Sequence, residues 1–177
     1  MTQHSHLNYE MSNHGFNRGY MKRMQREMRC LTEAYKHSES NFDEKTQSHS
    51  ISCRLDNWIV EIRVPQMFPF KPPQVLINEK YYRDMLIFRD SEFQNILRAN
   101  GIECLCCKSL LCTSNWCPIK KIVDVVDEVK SHRDLIRAII YTRLVREICQ
   151  DKGITCQEIP AIIMGQMYEG KLPIVPY

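Results

Sequence analysis

The hydrophobic positions change their spacing along the chain, and the changes mark the boundaries of elements. Met21, Met24, Met28, Leu31 and Tyr35 recur at three- and four-residue steps, with Lys and Arg between them, which predicts an amphipathic helix from about Gly19 to His37. Ser38 to Ser48 is polar and reads as a loop. Ile51–Arg54 and Trp58–Val64 read as two strands joined by a turn at Leu55-Asp56-Asn57; Trp58, Val60, Ile62 and Val64 alternate with Glu61 and Arg63, as on a half-buried strand. The three prolines of Phe68-Pro69-Phe70-Lys71-Pro72-Pro73 exclude helix, and Gln74–Ile77 reads as a third strand.

Beyond that strand the pattern weakens. Tyr81, Tyr82, Met85 and Leu86 suit one or two helical turns, and Phe93, Ile96 and Leu97 suit another with Ser91 as its cap. Asn100-Gly101 marks a turn, followed by a cysteine cluster that ends at Trp116-Cys117-Pro118. After Pro118 the period is helical again. Ile122, Val123, Val126 and Val129 form one stripe, and the Ser131/Asp134 capping-box pattern predicts that a second helix starts there. Leu135, Ile136, Ile139, Ile140, Leu144 and Ile148 line that helix, which Gly153 ends. Strands followed by helices make an α+β domain, expected over residues 18–154. Residues 1–17 read as a disordered polar arm and residues 155–177 as an extended tail. His4, His6 and His14 in that arm read as part of its polar character rather than as ligands.

Charge narrows the function classes. With 24 basic and 21 acidic side chains the net charge is +3 and no long basic run exists, which argues against nucleic acid as a partner. Lys22, Arg23, Arg26 and Arg29 fall at helical spacing between apolar residues and read as a solvated helix face. No stretch has the length of a bilayer span and the N-terminus has no apolar core, so the expected setting is the cytoplasm or nucleus, with no membrane partner.

The nine cysteines are Cys30, Cys53, Cys104, Cys106, Cys107, Cys112, Cys117, Cys149 and Cys156. An odd number, five of them between Cys104 and Cys117, speaks against a disulfide framework. Three uses remain: metal ligands, a reactive thiolate, or small buried hydrophobes. Cys104, Cys107, Cys112 and Cys117 would suffice for a tetrahedral zinc site, with Cys106 able to replace Cys107, although the two Cys-x-x-Cys hooks of common zinc folds are missing. Along an extended segment Cys104 and Cys106 would point one way and Cys107 the other.

Four motifs in order along the chain resemble the ubiquitin-conjugating enzyme family. They are the basic helix at Lys22–Met28; Phe68-Pro69-Phe70-Lys71-Pro72-Pro73 after a strand ending in Val64-Pro65; the run from Asn95 to Cys104-Leu105; and Trp116-Cys117-Pro118 opening a helix. Cys-Leu-Cys-Cys with Cys-x-x-Asn-Trp after it is similar to divergent members carried by large DNA viruses, which would place the protein in host cell cytoplasm. Phe93-Gln94 stands where the family has His-Pro, and the runs from Val75 to Asn95 and from Cys104 to Trp116 are longer than the family's. The segment from Ser38 to Asp56 is short for two long strands, so the sheet is expected to lack one.

The resemblance implies transthiolation: a cysteine takes ubiquitin or a ubiquitin-like modifier from an activating enzyme as a thioester, and a lysine then attacks it. By motif Cys104 is the nucleophile and Asn95, nine positions earlier, the oxyanion donor, a role worth about 3–4 kcal/mol in other oxyanion holes. Cys106 and Cys107 are alternative nucleophiles. Phe68, Phe70, Pro72 and Pro73 are the expected contact edge for ubiquitin or a ligase. An inactive binding module of the same fold, its cysteines structural or zinc-binding, is the competing expectation.

Overall fold

The computed structural model describes residues 18–43 and 48–153, so the arm at 1–17 and the tail at 155–177 lie outside the described residues. Helix α1 (Arg18–Ala34) buries Tyr20, Met24, Glu27 and Leu31. The expected stripe is rotated slightly: Met21, Met28 and Tyr35 pack at its margins, and a carboxylate sits at its centre. Glu27 is 1% exposed and is satisfied there. Its Oε1 lies 2.6 Å from Arg23 Nε, and its Oε2 accepts the backbone N–H of Ile122 at 2.7 Å.

Five antiparallel strands follow in sequence order: β1 (Ser38–Asp43), β2 (Ser48–Leu55), β3 (Trp58–Val64), β4 (Gln74–Ile77) and β5 (Lys80–Tyr81). Ser38–Asp43, within the polar segment expected as a loop, is therefore an edge strand, and the sheet is not missing a strand in this region. An edge strand pairs on one side only and here lies against solvent, so β1 needs no apolar alternation. Register sets Ile51 opposite Ile62 and Ile62 opposite Val75, with Cys53 opposite Val60 and Val60 opposite Ile77, which builds one apolar face. Asp56 takes a positive φ of 54° at the β2–β3 turn. Asn78 and Glu79, at φ 47° and 69°, supply the consecutive left-handed pair that a two-residue hairpin between β4 and β5 requires.

Helix α2 (Tyr82–Met85) is a single turn, and α3 (Ser91–Ala99) begins one residue after its cap. That cap is Asp90 rather than the expected Ser91: its Oδ1 accepts the N–H groups of Glu92 and Phe93 at 2.9 and 3.2 Å. Gly101, at φ 72°, closes α3 with a pair of bonds, Gly101 N–H to Arg98 and Ile102 N–H to Leu97, the Schellman pattern.

After the short α4 (Leu105–Lys108), one helix of 30 residues, α5 (Ile122–Asp151), replaces the two expected. Ser131 is an exposed residue inside it, not a cap. The polar run at 130–134 looks like a break because its buried position is filled by a charge. Arg133, 3% exposed, pairs with Asp56 at 2.8 Å and Asp134 at 2.9 Å, so the buried face continues through it from Val129 to Leu135 and Ala138. Arg143 and Arg146 tie the later turns to Asp90 and Glu92 at the start of α3. The apolar sheet face, α1 and α5 share one core containing Leu31, Ile51, Ile62, Ile77, Val126 and Ile139. Among the described residues no helix is long and apolar enough to cross a membrane.

Candidate thiol site

The closing turn of α3 delivers the chain to Cys104, which is extended (φ −155°, ψ 124°) and caps α4. The extended expectation holds at Cys104 itself but fails after it. One helical turn swings Cys107 back toward its neighbours, so Cys107 does not point away. The sulfurs of Cys104 and Cys106 are 2.7 Å apart, those of Cys106 and Cys107 3.9 Å, and all three lie within 4.8 Å of one another. Cys104 and Cys106 are half-buried and Cys107 is exposed.

The three thiols are not equivalent. The hydrogen bond with the Cys106 thiol, and then the nearby Cys107 backbone amide, hold the Cys104 thiol below its ordinary value. The same contact pushes Cys106 up to about 12. Cys107 is also raised, first by its interaction with Cys104. The arrangement thus favours thiolate character at Cys104 over its two neighbours.

The segment is pinned from several sides. Leu105 is buried in the core, and Lys108 Nζ donates to the Gly101 carbonyl at 3.1 Å. Glu128, on α5, accepts the Ser109 hydroxyl and the Leu110 N–H, each at 2.6 Å. Asn115 Nδ2 donates to the carbonyls of Cys107 and Ser109 at 2.6 and 3.0 Å. Tyr82 bonds to His132 and, at 3.4 Å, to Glu128; burial lowers the His132 pKa, with Glu128 opposing. Trp116 Nε1 donates to the Pro69 carbonyl at 2.7 Å, and its ring centroid is 6.0 Å from that of Phe68, so the proline segment and the cysteine segment are locked together.

Other expected residues fall in different places. Asn95 is exposed on α3, and its hydrogen-bond partner among the described residues is Arg98 at 3.5 Å. Of the proposed zinc set, the structure groups Cys104 and Cys107 with Cys106; Cys112 and Cys117 do not belong to that group. The cluster could hold a metal ion. Cys112 instead bonds to Ser114 Oγ at 3.1 Å, which lowers its pKa. Cys53 and Cys149 are buried thiols, as the packing alternative anticipated for some cysteines.

Along the expected contact edge, Phe68 is 3% exposed and part of the core, and Pro73 is buried, while Phe70 is 76% exposed and Pro72 half-buried. Phe70 is the most exposed of these four, and Met67 and Ile119 are exposed apolar side chains as well. Sequence reasoning passed over Glu128 and Ser109, and took in Asn115 only as part of the Cys-x-x-Asn-Trp motif. The spacing of Glu128 and His132, four apart on one helix face, was the available signal. No family model, no curated protein and no solved structure matches this chain.

Proposed function

We propose that this protein is a divergent ubiquitin-conjugating-type transferase whose acceptor is Cys104. One observation supports the choice among the cysteines: Cys104 is a half-buried thiol whose sulfur meets those of Cys106 and Cys107 within 4.8 Å, and the contact with Cys106 holds its pKa below the ordinary thiol value. In the proposed step the Cys104 thiolate attacks the thioester carbonyl on an activating enzyme, a new C–S bond forms, and the activating enzyme's cysteine leaves as thiolate. A lysine amine of the substrate then attacks the same carbonyl. Its C–N bond forms, the bond to Cys104 breaks, and the amine proton passes to solvent or a base.

Ubiquitin or a ubiquitin-like protein, an activating enzyme and a ligase are the partners this reading requires, with Phe70 on the contact edge and Asn95 as the motif-based oxyanion donor. A gel assay with ubiquitin, an activating enzyme, ATP and this protein tests it. The expected product is a reductant-sensitive band that is lost in Cys104→Ser and kept in Cys107→Ser. Folded protein that stays uncharged with several activating enzymes and modifiers overturns the reading.

A second reading is a catalytically inactive module of the same type, its cysteines structural or zinc-binding. Two observations favour it: the exposure of Asn95, bonded to Arg98, and the convergence of three sulfurs. Binding of ubiquitin without thioester formation distinguishes it from the first.

A further inference from the structure

Among the described residues, Cys104, Cys106 and Cys107 form the one group whose potential ligand atoms converge, all three sulfurs within 4.8 Å. Zinc–thiolate bonds of about 2.3 Å place the sulfurs of a tetrahedral site roughly 3.8 Å apart. The Cys106–Cys107 separation of 3.9 Å already meets that spacing. Cys104 and Cys106, at 2.7 Å, must part by about 1 Å, within reach of a side-chain rotation because both are only half-buried.

The backbone supports the same convergence. Cys104 is extended, and the turn of α4 returns Cys106 and Cys107 to its side. Leu105 anchors this turn in the core, while the Lys108–Gly101 and Asn115–Cys107 bonds hold its other end, so the three sulfurs are presented by a braced loop. Three soft ligands select thiophilic ions over Mg2+ or Ca2+. They leave a fourth position that water fills on Zn2+ and that Cu+ does not need.

We infer that Cys104, Cys106 and Cys107 form a three-thiolate site for a soft d10 metal ion, Zn2+ or Cu+, and that occupancy masks the Cys104 nucleophile. The binding half stands without the transferase reading, whereas the regulatory consequence, a metal that blocks charging, rests on it. On binding, three S–metal bonds form and the protons of those thiols are released to solvent. A chelator or competing thiol reverses the step with no change of sulfur oxidation state.

The test uses the full chain, reduced and stripped of metal. Zn2+, or Cu+ under anaerobic conditions with excess reductant, is titrated against a chromophoric chelator, and iodoacetamide labelling of Cys104 is followed by peptide mass spectrometry. One ion per chain is expected. The ion that withstands the stronger chelator competition identifies the metal. Cys106→Ser and Cys107→Ser should each weaken binding by more than about 100-fold, beyond the 10- to 100-fold typical of residues that only support ligands, while Cys117→Ser leaves it unchanged. With free metal at about 100 times Kd, labelling of Cys104 should slow about 100-fold. Binding that survives both serine variants, or labelling that metal does not slow, overturns the inference. Circular dichroism of the variants identifies any that fail to fold, and Cys106→Ala and Cys107→Ala then repeat the comparison. Thioester formation by metal-free protein is scored separately, so an uncharged but metal-binding protein would sink the transferase reading alone.

Discussion

Cys104 differs from its neighbours by what surrounds its sulfur, not by what the residue is. A thiol becomes nucleophilic in proportion to its thiolate, and a thiolate is stabilised by donors that keep their own protons. The Cys106 thiol, in contact with the Cys104 sulfur, is placed to act as such a donor, and the same contact raises its own pKa. Replacing it by alanine removes the donor, so the pKa of Cys104 should rise and its alkylation profile should move to higher pH. At neutral pH the labelling rate should fall. A profile that stays in place, or moves to lower pH, would show that Cys106 does not stabilise the anion. None of this was visible in Cys-Leu-Cys-Cys as letters, because the sequence could not say whether the backbone continues extended or turns after Cys104. The turn decides that all three sulfurs meet.

At the scale of elements, two charged residues carry what apolar patterning misses. Glu27 lies at the centre of the α1 face and accepts the first N–H of α5, while Arg23 Nη2 donates to the Lys120 carbonyl at 2.8 Å. A carboxylate at a core position reads as a gap in a hydrophobic stripe, so its function as a junction between two helices was hidden. Glu27→Ala should destabilise the protein by about 3–5 kcal/mol in urea unfolding, since it leaves Arg23 and an α5 N–H without their partner in a buried site. A loss below about 1 kcal/mol would mean that water replaces the carboxylate. Arg133 misled the reading of α5 in the same manner: its burial against Asp56 keeps the helix continuous where the letters Lys-Ser-His-Arg-Asp suggest a new start. Continuity makes a specific claim about Ser131. As an N-cap its replacement by alanine would cost about 1 kcal/mol; as an exposed interior residue the same change should be neutral or stabilise by a few tenths, because alanine is the better helix former. Thermal and urea unfolding of Ser131→Ala decides between them.

Across the whole molecule, the elements with two-faced burial were legible and those without it were not. Trp58–Val64 alternates because one face meets the core, so its extent could be read directly, and α1 was placed for the same reason. Strand β1 has no buried face to announce it, and its pairing with β2 follows from register rather than from its own side chains. The candidate site was legible as a concentration of cysteines but not as a geometry, since Glu128 reaches it from α5, Asn115 folds back onto the Cys107 carbonyl, and Trp116 ties the segment to Pro69. The proline segment shows what this division implies for function. Phe68 and Phe70 look alike in the sequence, yet one ring packs against Trp116 inside the core and the other stands in solvent. Phe68→Ala should therefore cost about 3–5 kcal/mol of stability, and by loosening the Trp116 junction it should also disturb the cysteine segment. Phe70→Ala should leave stability within about 0.5 kcal/mol and metal binding unchanged. If this edge receives a ligase, as the transferase reading requires, Phe70→Ala protein should charge at Cys104 normally and yet discharge more slowly when that ligase is added. Equal discharge by the wild type and Phe70→Ala would remove Phe70 from the contact surface, whereas a charging defect in Phe70→Ala would place it against the activating enzyme instead.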